Sequence, residues 1–482
     1  MQLLSNLLEK VSVLALNGNS EVEISAIHFD SRLVQSGDLF VAIVGSASDG
    51  HSFIPNVEKQ GVAAVVCEKM PAEQNPEVCY VLVENSNHTL AQLANAWYGN
   101  PSEKLTLVGV TGTNGKTTIA TLLYKLTRAY GYKAGLLSTV CNYIDEVAVE
   151  ATHTTPDPLQ LNELLNRMVA AGCEYAFMEV SSHAIDQERI TGLEFDGALF
   201  TNLTRDHIDY HLTFDNYRDT KKRFFDNLNS DAFAITNKDD KNGMVMLQNT
   251  KAKKMTYSLQ SLADFKAKVL EEDFAGMLLT VNGQEVFVPL VGRFNVYNLL
   301  AVYGAAVSLG FEEKETLRIL STLSAVRGRF EHVRSSKGWT AIVDYAHTPD
   351  ALTNVISTIN EIRKAGQKLI TIVGCGGNRD KGKRPMMARE AVAGSDVAIL
   401  TNDNPRNEEP QDIINDMLAG LTTDEQKDTL VILDRRQAIR TACTMAQSGD
   451  IILIAGKGHE DYQIIKGEKT HFDDMEEVQA MC

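Results

Sequence analysis

The sequence is short of several things, and each shortage excludes a class of protein. No uninterrupted apolar run approaches the ~20 residues needed to cross a bilayer, so no membrane span is expected. The opening residues, MQLLSNLLEKVSVLAL, lack a basic stretch ahead of the apolar one and carry Glu9 and Lys10 early. They do not read as a secretory signal. The seven cysteines are scattered, odd in number and free of CxxC spacing. Reduced cytoplasmic thiols fit that pattern better than a disulfide frame or a zinc site. Positive charge is scarce: 46 Lys and Arg stand against 63 Asp and Glu, a net charge of −17. Such a chain is a poor partner for nucleic acid or an anionic membrane, both densely negative. Internal repeats and low-complexity stretches are absent too. What remains is 482 residues with 44% hydrophobic content, ordinary for globular domains. At ~100–200 residues per domain the length suggests about three. The expectation is a soluble, cytoplasmic, multidomain enzyme whose basic groups act locally. Nothing in the sequence demands an oligomer, and a monomer is expected.

Periodicity divides the chain into residues 1–100, 101–333 and 334–482. In the first part GDLFVAI, AAVVCE and VCYVLVEN read as short buried strands, and a helix runs through Leu90–Trp97. The turn cluster Tyr98-Gly99-Asn100-Pro101 reads as a linker. The second part opens with the strand LTLVGV, a glycine loop and a helix from about Thr117 to Tyr130. Further strand-like runs at YAFMEV, GALFTN and DAFAIT alternate with helices, which implies an α/β fold with a parallel, doubly wound sheet. Lys254 to Leu290 reads as a small antiparallel insertion. The third part has strand candidates WTAIVD, KLITIVG, DVAILT, TLVILD and DIILIAG. Four of them run into the polar loops DYAHTPD, GCGGNRDKGKRP, DNPRNEEP and GKGHEDYQ. Ligands of open parallel sheets bind beyond the carboxyl ends of the strands, so this part reads as a Rossmann-like ligand-binding domain.

Gly112-Thr113-Asn114-Gly115-Lys116-Thr117-Thr118 follows a strand and precedes a helix, the context of a phosphate loop. Backbone amides cradle phosphate oxygens there, Lys116 supplies a point charge, and the Thr117 hydroxyl can reach Mg²⁺. The strict pattern GxxxxGK[ST] would need glycine at the position of Val110. A tight strand–helix turn that happens to carry lysine is the plainer reading.

GTNGKTT, MEVSSHAIDQERI, FTNLTRDHIDYH, GRFNVYN, RGRFE and DYAHTPD together resemble the Mur ligase family. DSR, GCGGNRDKGKRP, DNPR and GKGHEDYQ resemble its diaminopimelate-adding members, and the likeness runs from Asp30 to about Gln463. The resemblance implies three domains and an ATP-dependent ligase of peptidoglycan precursor synthesis. Such an enzyme phosphorylates a carboxylate with ATP and lets an amine attack the acyl phosphate. It implies ATP and Mg²⁺ as cofactors, with UDP-MurNAc-L-Ala-D-Glu and meso-diaminopimelate as substrates. Addition of L-lysine or another diamine is the alternative within the family. A P-loop ATPase used as a switch is the alternative outside it.

The resemblance also assigns residues. Thr117, Glu179, His207 and a carbamylated Lys221 would serve Mg²⁺ and, with Lys116, catalysis. Asn295 and Asn298 would lie near adenine, and Arg329, Asp344 and His347 would reach ATP when the third domain closes. Phe29, Ser31, Ser46, Ala47 and Ser48 would line the uridine-diphosphate pocket. His153, Thr154, Thr155, Ser181, Gln187 and Arg189 would hold the muramoyl dipeptide, although the family often has asparagine at the position of His153. Arg379, Asp403, Asn404, Pro405, Arg406, Gly456 and Glu460 would form the diaminopimelate pocket. Arg406 supplies a fork for the extra carboxylate that lysine lacks, and Glu460 an acceptor for the ammonium. Asn378 stands where aspartate is frequent.

Plainer readings accompany these. Glu179 could be a solvated helix cap and His207 a satisfied core histidine. Lys221, beside Lys222 and Arg223, could belong to a basic helix face. Asn295 and Asn298 could be helix caps, and Arg406 could pair at the surface with Glu408 or Glu409.

Overall fold

The computed structural model describes residues 1–45 and 48–482. Among them the strands gather into three large sheets and two small two-stranded ones. The first large sheet runs in the order Val13–Asn17, Cys79–Val83, Ala64–Cys67, Leu39–Val41 and Ile27–His28. Its three inner strands are the apolar runs, buried almost throughout because both faces are covered. Val13–Asn17 at one edge is mostly exposed, which leaves no hydrophobic alternation to read.

The central sheet has eleven strands. Its parallel core is Ala134–Leu137, Tyr175–Glu179, Thr106–Thr111, Gly197–Phe200, Phe233–Asn237 and Lys253–Ser258. From Thr106–Thr111 the chain fills one side of the sheet and then the other, so strand order reverses there. A crevice opens beyond the strand ends at such a switch point. The register sets Glu179 beside Val110 and Phe200 beside Thr111, so three loops leave the sheet at one level. The helix Lys116–Ala129 turns Ile119, Leu122, Leu123 and Leu126 onto the sheet, all fully buried. Each such leucine contributes roughly 2 kcal/mol of burial. Arg293–Ser308 packs on the same face, while Pro158–Ala170 and Phe214–Asp226 cover the other.

The region from Lys254 to Leu290 carries the expected small antiparallel strands, joined to the central sheet. Phe265–Asp273, Gly276–Val281 and Gln284–Val288 are antiparallel to one another, but Phe265–Asp273 begins in parallel with Lys253–Ser258. The region therefore extends the central sheet. The opposite edge also ends in an antiparallel hairpin, Asn142–Ile144 with Val147–Val149, which periodicity did not predict.

The third sheet runs in the order Glu331–Arg334, Thr340–Asp344, Ile451–Ala455, Leu369–Val373, Val397–Leu400 and Leu430–Val431. The first strand is antiparallel and the rest are parallel. Asp344 is level with Ala455, Ala455 with Val373, and Val373 with Leu400. All four polar loops therefore open along one rim. Among the described residues no helix is long and apolar enough to cross a membrane.

Candidate active site

The phosphate loop is shaped by two glycines in left-handed backbone, Gly112 with φ +147 and Gly115 with φ +90. A Cβ at Gly112 would lie 1.8 Å from the Thr201 Oγ1, and one at Gly115 would lie 2.5 Å from Asn298 Oδ1. Only glycine fits this close approach. The next parallel strand holds the loop in place: Asn202 Oδ1 accepts the Asn114 amide at 2.9 Å, and Thr201 Oγ1 donates to the Asn114 carbonyl at 2.6 Å. Thr113 Oγ1 lies 3.1 Å from the Tyr217 hydroxyl. Lys116 folds back over the loop and donates to the carbonyls of Thr113 at 2.7 Å and Gly112 at 3.0 Å. Desolvation lowers its ammonium pKa, and the carboxylates of Glu179 and Asp206 partly offset this. Thr117 and Thr118, at the start of the helix, are buried. Asn295 and Asn298 do not cap their helix. Asn295 donates to the Val291 carbonyl at 2.8 Å and accepts from Asn298 at 3.1 Å, and Asn298 packs on Gly115.

Lys221 and Lys222 separate clearly. Lys221 is 1% exposed and donates to the Gly112 carbonyl at 3.0 Å and to Thr111 Oγ1 at 3.3 Å. Its ammonium lies 4.9 Å from the Tyr217 ring centre. Burial, and then the nearby Lys116 charge, push its pKa well below the ordinary value. Lys222 is instead ion-paired with both oxygens of Asp226 at 2.7 Å. Glu179 is buried at its strand end and accepts the Thr139 amide at 2.7 Å. It is therefore no solvated cap. His207 sits in left-handed backbone, φ +54, beside Asp206 at 3.4 Å and edge-on to His183 at 4.8 Å. Desolvation lowers its pKa to about 4, so the imidazole is neutral and available as a ligand at neutral pH.

The third sheet's rim lies against this loop. Arg329 Nη2 donates to Thr117 Oγ1 at 3.1 Å, and its guanidinium stacks 4.3 Å from the Tyr345 ring centre. Asn114 reaches Asp350 at 3.3 Å. Asp344 accepts the Phe330 and Ala346 amides at 2.7 and 2.8 Å, which fixes the turn into DYAHTPD. Burial raises its carboxyl pKa. His347 Nδ1 lies 2.9 Å from the Tyr345 carbonyl, and Lys383 donates to the His347 carbonyl at 2.9 Å.

Desolvation, with positive neighbours, lowers His347 from 6.5 to about 4 and His459 from 6.5 to about 3. The unfolded chain binds these protons first, so the stability they support is complete above pH 6.5 and drains as pH falls toward 4. The melting temperature is expected to drop across that window. A variant with both histidines changed to glutamine should drop less, as scanning calorimetry at stepped pH would measure.

Most of the residues assigned to the dipeptide form one hydrogen-bonded group. Thr139 joins Thr154 at 3.0 Å, and Thr155 joins the Glu179 carbonyl at 2.8 Å and Ser181 at 3.4 Å. Ser181 also caps its helix by accepting the Ala184 amide at 3.1 Å. Arg189 donates to the Thr155 carbonyl at 2.8 Å and to Gln187 Oε1 at 2.7 Å, both neutral acceptors. His153 stands apart, exposed, with only Thr152 at 3.3 Å. In the first part, Phe29 packs on the sheet core, Ser31 is buried and Ser48 is exposed. Ser46 and Ala47 lie outside the described residues. His88 and Glu188, 3.3 Å apart, bring that part against the loop of Gln187 and Arg189.

The third pocket gathers Asp403, Asn404, Gly456 and Glu460, with Arg406 at its side. Asn404 Nδ2 donates to Glu460 Oε2 at 2.8 Å, and a Cβ at Gly456 would lie 3.0 Å from Asp403 Oδ2. Pro405 is buried beneath. Arg406, φ +53, donates to the Gly377 carbonyl at 2.9 Å. It pairs with neither nearby glutamate: Glu408 binds Arg384 at 2.9 Å and Glu409 binds Lys466 at 3.0 Å. Asn378 adopts φ +53, which asparagine tolerates well, and accepts the Asn407 amide at 3.2 Å. Arg379 is exposed and lines a cavity of about 530 Å³ with Glu408 and, from the central part, Asp209. That cavity joins the amino-acid side of the crevice to the loop of His207.

Several contributors escaped the sequence reading. Thr201 and Asn202 lie in FTNLT, yet their grip on the phosphate loop depends on strand order. Arg384 is fully buried and ties Glu408 to the Gly376 carbonyl at 3.2 Å, clamping two loops together. Lys457 is fully buried among the pocket's carboxylates. Their signal was only a lysine or arginine in a polar loop, where exposure is the default.

Family models match in three blocks: Mur ligase family, catalytic domain, at residues 23–98; Mur ligase middle domain at 110–306; and Mur ligase, glutamate ligase domain, at 328–458. The UDP-N-acetylmuramoyl-L-alanyl-D-glutamate–2,6-diaminopimelate ligase of Parabacteroides distasonis is 62% identical over 466 residues, covering 97% of this chain and 96% of that protein. Its counterpart in Bacteroides fragilis is 58% identical over 473 residues, covering 98% of each. A solved structure of a ligase of the same name aligns with TM-score 0.70 and 32% identity, covering 100% of this chain and 99% of that one. With matches of this length and identity, the chain belongs to the Mur ligase family.

Proposed function

We propose that this chain is an ATP-dependent amide ligase that joins meso-diaminopimelate to UDP-N-acetylmuramoyl-L-alanyl-D-glutamate in peptidoglycan precursor synthesis. One observation carries the reading. The phosphate loop lies against the third sheet's rim, and a second pocket on that rim holds Arg406, which has no carboxylate partner among the described residues. A hydrolytic switch has no use for the second pocket, and lysine would leave its guanidinium without an anion. The names of the relatives support the same substrates.

In this reading residues 1–100 hold the uridine diphosphate through Phe29, Ser31, Ser46, Ala47 and Ser48. Residues 101–333 bind ATP, and residues 334–482 bind the amino acid and close over ATP. The dipeptide carboxylate attacks the γ-phosphorus, and ADP leaves. The substrate amine then attacks the acyl carbon, phosphate leaves, and a proton is lost from nitrogen. Lys116 and Arg329 neutralise the transferring phosphoryl group. Arg189 orients the dipeptide, and Asn295 and Asn298 wall the nucleotide side.

No group of three or more His, Cys, Asp or Glu among the described residues is arranged to hold a metal. Mg²⁺ commonly takes one or two carboxylates plus substrate phosphates rather than a protein cage. Thr117, Glu179, His207 and carbamylated Lys221 are its proposed ligands. Bound there, it would supply charge neutralisation and orientation to phosphate oxygens. The enzyme works as a cytoplasmic monomer. Phosphate release should require both UDP-MurNAc-L-Ala-D-Glu and diaminopimelate in addition to ATP. Turnover with ATP alone would favour a switch ATPase.

A further inference from the structure

Lys457 has no role in the scheme above, yet its surroundings are unusual. It is 0% exposed. Its ammonium lies 3.4 Å from Glu460 Oε2, 3.7 Å from Asp403 Oδ1 and 3.5 Å from Asn404 Oδ1. The Tyr462 ring centre is 5.5 Å away. Burial, and then the facing Asp403 carboxylate, raise the carboxyl pKa of Glu460. Two carboxylates of a desolvated pocket thus share one ammonium, with a net charge of one negative.

We propose that Lys457 is a positioning and specificity-determining residue that holds the carboxylates of Asp403 and Glu460 aimed at one incoming substrate ammonium. The inference rests on the reading of this pocket as the amino-acid site. With lysine present, the pocket's negative charge matches one ammonium of a diamino acid, and Arg406 faces the adjoining carboxylate. Without it, two buried carboxylates face each other with nothing between them. They then share a proton or turn apart, and neither arrangement leaves Glu460 as a defined acceptor. Asn404 alone cannot compensate. Its amide already donates to Glu460 at 2.8 Å, and its oxygen accepts the Ile464 amide at 2.9 Å.

The charge count makes a prediction that a merely structural lysine would not. Lys457→Met should raise the KM for meso-diaminopimelate ~30-fold, the scale of losing one partner of a buried charge cluster. The KM for ATP and the kcat should stay within about twofold, since this pocket does not touch the phosphate loop. Asp403→Asn alone should also raise the diaminopimelate KM, because it leaves the pocket without net charge. In the Lys457→Met background the same change should restore binding at least ~5-fold, because it returns the pocket to one negative charge.

The test is steady-state kinetics of the full chain for the wild type, both single variants and the double variant, with melting curves in ADP to establish folding. Restoration of affinity in the double variant supports the proposal, even if Lys457→Met melts lower. An unmoved diaminopimelate KM in a folded Lys457→Met enzyme overturns it while leaving the ligase reading intact. So does a double variant worse than Lys457→Met. A wild type that adds no diaminopimelate overturns both.

Discussion

Lys221→Ala is expected to abolish ligation, with kcat/KM falling by ~10³ or more, the scale of removing a group that stabilises the transferring charge. Lys222→Ala should cost less than about threefold, because its ammonium is already paired with Asp226 away from the phosphate loop. The two lysines are neighbours on one helix, so the contrast isolates orientation. Lys221 points beneath the phosphate loop, 3.0 Å from the Gly112 carbonyl, and has no carboxylate partner among the described residues. Lys222 points away and is neutralised by Asp226. Burial and the Lys116 charge favour the free amine of Lys221 over its ammonium, and a free amine can add to CO₂. The new N–C bond replaces an N–H, the proton leaves, and the side chain becomes an anion beneath the phosphate loop. Initial rates of both variants, with bicarbonate present and absent, check the account. Equal, mild losses in both would remove Lys221 from the mechanism.

Arg406→Ala is expected to raise the KM for meso-diaminopimelate ~100-fold, because a half-buried site built for a carboxylate fork loses its donor. The KM for ATP should stay within about twofold. Arg406 is committed to this direction by its backbone. Its amide donates to the Ile464 carbonyl at 3.0 Å, and φ +53 is a conformation that a bulky residue adopts only when its surroundings hold it there. The carboxylates that might have occupied it are taken by Arg384 and Lys466. The variant should also discriminate less between diaminopimelate and lysine. Competition kinetics with both amino acids measures this directly, and an unchanged diaminopimelate KM would refute the assignment.

Much of the fold was legible. Thr106–Thr111, Tyr175–Glu179, Gly197–Phe200, Leu369–Val373 and Ile451–Ala455 are apolar enough to read as buried strands, and the polar loops after them mark the rim. Partnership between strands was not legible. The region after Lys253 reads as antiparallel from its short strands and turns, but hydrophobic period does not reveal that its first strands continue a parallel sheet. Leu430–Val431 is only two residues long and exposed, and apolarity alone overstated it. In the site, Gly112, Gly115 and Lys116 announce themselves by pattern. The choice between Lys221 and Lys222 needed side-chain direction. The burial of Lys457 and Arg384 needed the carboxylates that other loops bring to them.

The central claim is that this crevice joins a dicarboxylic diamino acid to a nucleotide-linked dipeptide. Mass analysis of the product tests it most directly. Purified protein, ATP, Mg²⁺ and UDP-MurNAc-L-Ala-D-Glu would be incubated with meso-diaminopimelate, L-lysine and L-ornithine in parallel. The account predicts a tripeptide product with diaminopimelate, formed far faster than with either monocarboxylic diamine. Equal or faster addition of lysine or ornithine would contradict it.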